Sequence, residues 1–211
     1  MGERYQHIAF GAHSVQRQHE VGSVVAYGAA LGTPDTGPQQ LGTREVRMMS
    51  TAFQFHLATV TDAGWPYVQY RSGPAGFVHH LGGNQIGFAD FHGNQQFVST
   101  GNLDRDGRVA IFFADYPRKR RLKVFGRGQV IEAADDPELL QRLRTIGEQT
   151  IAARCERSIV IEVEAFDWNC ARSLVPQYTA EDVQARMQPY IDRIAALQDE
   201  VAELRGRLSA G

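Results

Sequence analysis

The sequence predicts a mainly β protein with some α: a small antiparallel barrel of six or seven strands, flanking helices and a C-terminal heptad helix. Three observations carry that prediction. Short runs rich in β-branched and aromatic residues, such as "FQFHLATVT", "PYVQYRS" and "RVAIFFAD", recur along residues 53–168. Several of the segments between them are short and glycine-bearing ("DAGW", "SGPAG", "GGN"), which suits closely spaced antiparallel strands better than a parallel α/β sheet. From Tyr190 the apolar residues fall into a 4-3-4-3-4 spacing, the mark of a helix seam.

The totals are those of an ordinary soluble chain. With 211 residues, 43% of them hydrophobic and 22% charged, it suits one domain with appendages and a core that needs no disulfide or metal. A formal net charge of −2 gives no electrostatic reason to expect nucleic acid or an anionic membrane as a partner. Cys155 and Cys170 form no CxxC and have no histidine at metal spacing, so they read as reduced thiols of a cytoplasmic protein. The N-terminal "MGERYQHIAFGAHSV" has no apolar signal core, and no run reaches membrane-spanning length. His7, His13 and His19 are six apart and His79 and His80 adjacent, spacings that fit neither one helix face nor one strand face, so no metal site is expected.

In chain order, residues 1–42 form a glycine-rich, weakly periodic N-terminal extension in which "GAALGTPDTGPQQLG" reads as loop. "TREVRMMSTA" is a short helix with Thr43 as N-cap. The barrel domain spans 43–175, with strands in "FQFHLATVT", "PYVQYRS", "GFVHHL", "NQIGFAD", "GRVAIFFAD", "RLKVFGRGQVIEA" and "SIVIEVEAFDW". Within it "DDPELLQRLRTIGEQTI" is a helix, Asp136 its N-cap and Pro137 in the first helical position, where the missing N–H costs nothing. The tail, 176–211, places Tyr190, Ile194, Leu197, Val201, Leu204 and Leu208 on one seam, with β-branched residues and leucines alternating as two-stranded coils prefer. Pro189 predicts a kink or restart before it. Fewer than three heptads follow, so the stripe pairs with a second chain or packs on its own barrel.

Three segments offer chemistry. Arg71 ends a strand beside the tight loop "SGPAG", where a guanidinium can give a phosphate two donors at once. "DFHGNQQFVSTGNL", Asp90 to Leu103, is rich in neutral donors and acceptors and holds no cation. It reads as a plain polar loop or, with a short helix starting near Asn94, as a cradle for an anion in which Asn94, Gln95, Gln96, Ser99 and Thr100 take part. "PRKRRLK" is strongly basic, but strand alternation puts Arg121 and Lys123 on one face and Arg120 and Leu122 on the other, which argues against a nucleic-acid stripe and suits a ligand lying across the sheet. No Ser-His-Asp, activated cysteine, paired-carboxylate or P-loop signature occurs, so any chemistry is expected to belong to a bound cofactor.

"FHLATVTDAGWPYVQYRSGPAGF", then "IGFADFHGNQQFVSTGNL", then "RVAIFFADYPRKRRLKVFGRG" resembles, in that order, the pyridoxamine 5'-phosphate oxidase-like flavoproteins, and within them a bacterial branch known for flavin-nucleotide binding. The resemblance covers roughly residues 5–168. It implies a split β-barrel, a homodimer and FMN bound at the dimer interface. By the same resemblance Val68, Gln69, Arg71 and Ser72 lie along the flavin and its phosphate, and Phe88, Ala89, Asp90 and Phe91 flank the ring. Asn94, Gln95 and Gln96 occupy the phosphate loop, with Arg121 and Lys123 near the pyrimidine edge, where a cation stabilises reduced flavin. Two departures stand out: "GNQQ" lacks the cations of the oxidase's phosphate loop, and the chain ends in "DEVAELRGRLSAG" instead of a substrate-binding Arg/His segment. Oxidation of pyridoxamine phosphate is therefore not expected. An FMN-dependent oxidoreductase acting on a small molecule leads; a flavin-binding or sensing protein without turnover is the alternative, and His79, His80 and His92 keep a haem or deazaflavin binder open.

Overall fold

The computed structural model describes residues 2–169 and 172–210; of the two cysteines, Cys170 lies outside the described residues. The chain forms two units, Met1–Asp115 with Lys119–Ser173, and Tyr116–Arg118 with Leu174–Gly211.

The first unit is mixed β and α, built on a seven-stranded antiparallel sheet. Its strands are β1 (Gln54–Val60), β2 (Pro66–Ser72), β3 (His79–Gly82), β4 (Gln85–Phe91), β5 (Arg108–Asp115), β6 (Arg120–Glu132) and, after a small hairpin of β7 (Thr145–Ile146) and β8 (Gln149–Thr150), the long β9 (Cys155–Asn169). The order across the sheet is β2-β1-β5-β6-β9-β4-β3, so β2 and β3 are edges and the ladder does not close. Alternation decides the inner face. Phe55 and Leu57 of β1, Ile111 and Phe113 of β5, Leu122 and Val124 of β6, Ile159, Ile161 and Val163 of β9, and Ile86 and Phe88 of β4 are all buried in one core. Phe55 touches Phe113 on the neighbouring strand, and it also meets Phe88 of β4 with ring centroids 5.2 Å apart. β1 and β4 are separated in the ladder by three strands, so this contact requires the sheet to curl round its core.

A bulge in the β6–β9 pairing falls between Phe125 and Gly126. A Cβ at Gly126 would stand 2.5 Å from the Glu162 carbonyl oxygen, which is why glycine sits there. Before β1, the stretch 28–42 is irregular apart from one short turn, as its composition predicts, while the residues on either side of it are helical. Helices α1 (Glu3–Ala9), α2 (Ala12–Glu20) and α3 (Val24–Tyr27) and a 3-10 turn (Ala29–Gly32) precede α4 (Thr43–Ser50). Tyr5 stacks on Phe125 at 5.3 Å, Arg4 pairs with Glu164 at 2.9 Å, and Gln39 Oε1 accepts from the N–H groups of Tyr5 and Phe166, so the segment is fastened to the outer face of β6 and β9.

Three local expectations shift. The N-cap of α4 is Gly42, with Thr43 already helical, because the Glu45 carboxylate reaches back to the Gly42 N–H at 3.2 Å. Helix α6 (Pro137–Arg144) starts as predicted, Asp136 Oδ1 accepting from Leu139 N–H at 2.8 Å, but ends early: Gly147, at φ 59°, turns the β7–β8 hairpin. The predicted helix near Asn94 begins instead at Val98, as α5 (Val98–Arg105), because Gly93, Gln95 and Phe97 all take left-handed φ values of 54–58°.

The second unit is dominated by α7 (Ala180–Ser209), which runs through Pro189 rather than restarting after it. A proline there removes one main-chain donor without ending the helix. No helix among the described residues is long and apolar enough to cross a membrane.

Candidate functional site

The curl of the sheet brings edge strand β2 towards β4, and between them opens a cleft of about 280 Å³. One wall is the inner face of β2, where Tyr67, Gln69 and Arg71 stand opposite Thr59, Leu57 and Phe55 of β1. The other is the end of β4 with the loop that follows it and the first turn of α5.

At the floor lies a charged row across three strands. Asp90 of β4 pairs in register with Arg157 of β9, and Arg157 with Glu132 of β6. Arg157 Nη1 is 3.3 Å from Asp90 Oδ2 and its Nε is 3.2 Å from Glu132 Oε1. From the far wall Arg71 Nη1 donates to Asp90 Oδ1 at 2.6 Å. Asp90 thus holds two guanidiniums, and its side chain is only 5% exposed. Burial pulls the Arg157 pKa down, but bonding to Glu132 and Asp90 outweighs it and the net shift is upward. A register shift after Asp90 leaves Glu156 without a partner on β4, the mark of a bulge. Its carboxylate meets His92 Nδ1 at 3.0 Å and Arg154 at 2.8 Å, and the His92 hydrogen bond first of all holds it below the usual glutamate range.

The rim is built from backbone. Positive φ at Gly93, Gln95 and Phe97, and not at Asn94 or Gln96, gives the alternation from which concave nests of N–H groups are made. Asn94 Oδ1 accepts from Gln96 N–H at 3.2 Å and tightens the turn. Phe97, the N-cap of α5, offers no side-chain cap, so the first N–H groups of that helix have no acceptor within it. Ser99 is 4% exposed, and its hydroxyl has no hydrogen-bond partner among the described residues. The Nε of Arg71 is likewise buried and unpartnered. Unmet donors beside a helix N-terminus favour an anion.

Of the residues singled out in the sequence, Gln69, Arg71, Asp90, Phe91, Asn94, Gln95 and Gln96 come together in this cleft. Phe88 is core, and Ala89 faces the other way, against Leu140 and Leu143 of α6. Val68 and Ser72 point to the outer side of β2, since strand alternation separates them from Gln69 and Arg71. Arg121 and Lys123 lie on the outer face of β6. There Lys123 meets Asp167 at 3.5 Å and sits over the Tyr5 ring at 4.7 Å. Arg157, Glu132, Tyr67 and Phe97 escaped sequence reasoning. An arginine inside the apolar phase of "ERSIVIEV" was the one available signal for Arg157, whose guanidinium lies 5.1 Å over the Phe97 ring. Among the described residues no three His, Cys, Asp or Glu side chains cluster as a metal site would require.

A second hollow, of about 470 Å³, lies on the outer face of the sheet, with Ala58, Val60, Ala110 and Phe125 in its lining.

Several solved structures are similar. Rv2991 from Mycobacterium tuberculosis, a conserved hypothetical protein, is 16% identical, with 70% of this chain and 96% of that one covered and a TM-score of 0.48. HupZ from Group A Streptococcus is 17% identical, with 65% of this chain and all 100% of its own covered and a TM-score of 0.46. An F420 reductase is 21% identical, with 64% and 98% covered and a TM-score of 0.40. No curated protein matches significantly. The family model described as pyridoxamine 5'-phosphate oxidase matches residues 44–205, well over half of the sequence, and the chain belongs to that family.

Proposed function

We propose that the chain is an FMN-binding flavoprotein of oxidoreductase type, working as a homodimer on a small-molecule substrate. The observation that carries this reading is the rim of the cleft: alternating left-handed residues lead into an uncapped helix start beside a buried Ser99 hydroxyl with no partner. That donor set fits a phosphate monoester. Arg71 adds a cation that Asp90 has already oriented, and this offsets the lack of lysine or arginine in "GNQQ". Gln69, Asn94 and Gln96 offer neutral partners for the polyol or ring. Bound flavin supplies hydride and single-electron transfer; the residues of this chain bind it, orient it and fix its charge.

A cleft of about 280 Å³ sits at the low end of ligand sites, which run from about 300 Å³ upward. It suits the phosphate-bearing end of a mononucleotide, and a second copy of the chain would supply the remaining walls. The apolar hollow around Phe125 gives that copy a face to cover.

The test is an absorption spectrum of the purified protein, then denaturation and identification of any released chromophore. FMN is expected. Haem, a deazaflavin, or a protein that stays colourless with added FMN would each overturn the reading. Titration with FMN and riboflavin isolates the phosphate site: Ser99→Ala and Arg71→Met should weaken FMN and leave riboflavin unchanged. Reduction of the bound flavin by NAD(P)H or another donor, followed by reoxidation by an acceptor, separates an enzyme from a binding protein.

A further inference from the structure

The helix α7 carries more pattern than its sequence concedes. A break at Pro189 would leave fewer than three heptads, too few for a firm seam. The unbroken helix restores the rest. Val183, Met187, Tyr190, Ile194, Leu197, Val201, Leu204 and Leu208 now follow one another at 4-3-4-3-4-3-4 spacing on a single helix, and all eight are 41% to 83% exposed. At about 1.5 Å per residue the stripe runs roughly 38 Å. Pro189 falls on the c position of the heptad, away from the stripe. The start of the helix is fixed by reciprocal bonds: Thr179 Oγ1 accepts from Asp182 N–H at 3.1 Å, and Asp182 Oδ2 accepts from Thr179 N–H at 3.0 Å.

We propose that α7 pairs with α7 of a second copy of this chain as a parallel, in-register, two-stranded coiled coil. Two features select that occupant and that direction. Ile194 and Val201 take a positions and Leu197 and Leu204 take d positions, the arrangement that favours two parallel strands. Charge decides between directions. In a parallel pair each g residue meets the e residue five places on in the other chain. Arg186 then meets Ile191, Arg193 meets Gln198 and Glu200 meets Arg205. The ionic pair is attractive, forms twice by symmetry, and no like charges meet. An antiparallel pair with matched apolar layers also sets Arg193 against Glu200, but it places Arg186 against Arg207 twice. The seam is self-complementary, as a two-fold interface requires. The proposal stands whether or not FMN binds.

The test uses the full-length chain carrying Leu204→Cys, oxidised gently and mapped by peptide mass spectrometry, with Ala202→Cys at the outward b position as comparison. In a parallel coil the two introduced thiols at position 204 share a layer within disulfide reach, whereas antiparallel helices would hold them roughly 25 Å apart. The expected result is a 204–204 disulfide, none between the 202 positions, and loss of the first when Val201→Lys is added. Folded protein with no 204–204 link, equal linking by both variants, or a link indifferent to Val201→Lys would each overturn the proposal.

Discussion

Replacing Asp90 with asparagine keeps the shape of the cleft floor and deletes the one charge that two guanidiniums share. The side chains of Asp90, Arg157 and Arg71 are 5%, 10% and 19% exposed, so none is well solvated. Removing one partner of a buried pair costs about 3–5 kcal/mol, most of it from stranding the other charge. Here Arg157 keeps Glu132 at 3.2 Å, although that carboxylate is 54% exposed and correspondingly screened, and a looser contact to Glu156 at 3.6 Å. The expectation is therefore the low end, about 3 kcal/mol. For a unit of this size that is a fall in Tm of about 6–12 °C. Urea unfolding reads it directly, with the slope unchanged. Adding Arg157→Met to Asp90→Asn removes the stranded guanidinium, so the double variant should lose at least about 1 kcal/mol less than the two single losses added together. A cost below about 1 kcal/mol for Asp90→Asn, the value of a surface pair, would refute the reasoning, because it would mean that water reaches the row and Arg71 is not held for a ligand.

Two further outcomes are expected. Gly126→Ala should destabilise the sheet by about 1–3 kcal/mol as overpacking does, since the new methyl meets the Glu162 carbonyl; a neutral result by thermal melting would show that the bulge relaxes freely. His79 is pushed below its ordinary value of 6.5, first by burial and then by Arg142. The unfolded chain thus takes up a proton that the folded chain resists, so stability present above pH 6.5 declines as pH falls towards the folded value. His79→Gln should remove that slope, and equal slopes for both proteins would contradict it.

What the sequence reveals and what it hides divide along the range of the interactions. The strands and their inner faces were legible because a period of two is written into consecutive residues: Phe55 and Leu57, or Leu122 and Val124. The start of α6 was legible for the same reason, Asp136 and Pro137 being adjacent. The loop after β4 was recognisable as donor-rich but not as non-helical. Left-handed φ at Gln95 and Phe97 is a property that neither residue type announces. The hold of residues 1–42 on the barrel was not legible, because it runs through Gln39 and Arg4 to strand β9, contacts that no local composition reports.

The cleft itself shows the limit most sharply. Arg71 and Asp90 are 19 positions apart and Asp90 and Arg157 are 67 apart. Strand pairing joins Asp90 to Arg157, and the curl of the sheet brings Arg71 to them. Strand alternation separates residues that the sequence places side by side: Arg71 faces in and Ser72 out, Asp90 faces the cleft and Ala89 the helix α6. The cleft is therefore a consequence of topology acting on alternation. Among the described residues edge strand β2 has no ladder neighbour on its free side, so its inner side chains can meet the end of β4 across a gap. Closing that edge with one more hydrogen-bonded strand would satisfy the backbone and fill the space where Arg71 reaches Asp90. The open ladder and the cleft are on this account one feature. Two buried donors without a partner among the described residues, Ser99 Oγ and Arg71 Nε, lie at this seam.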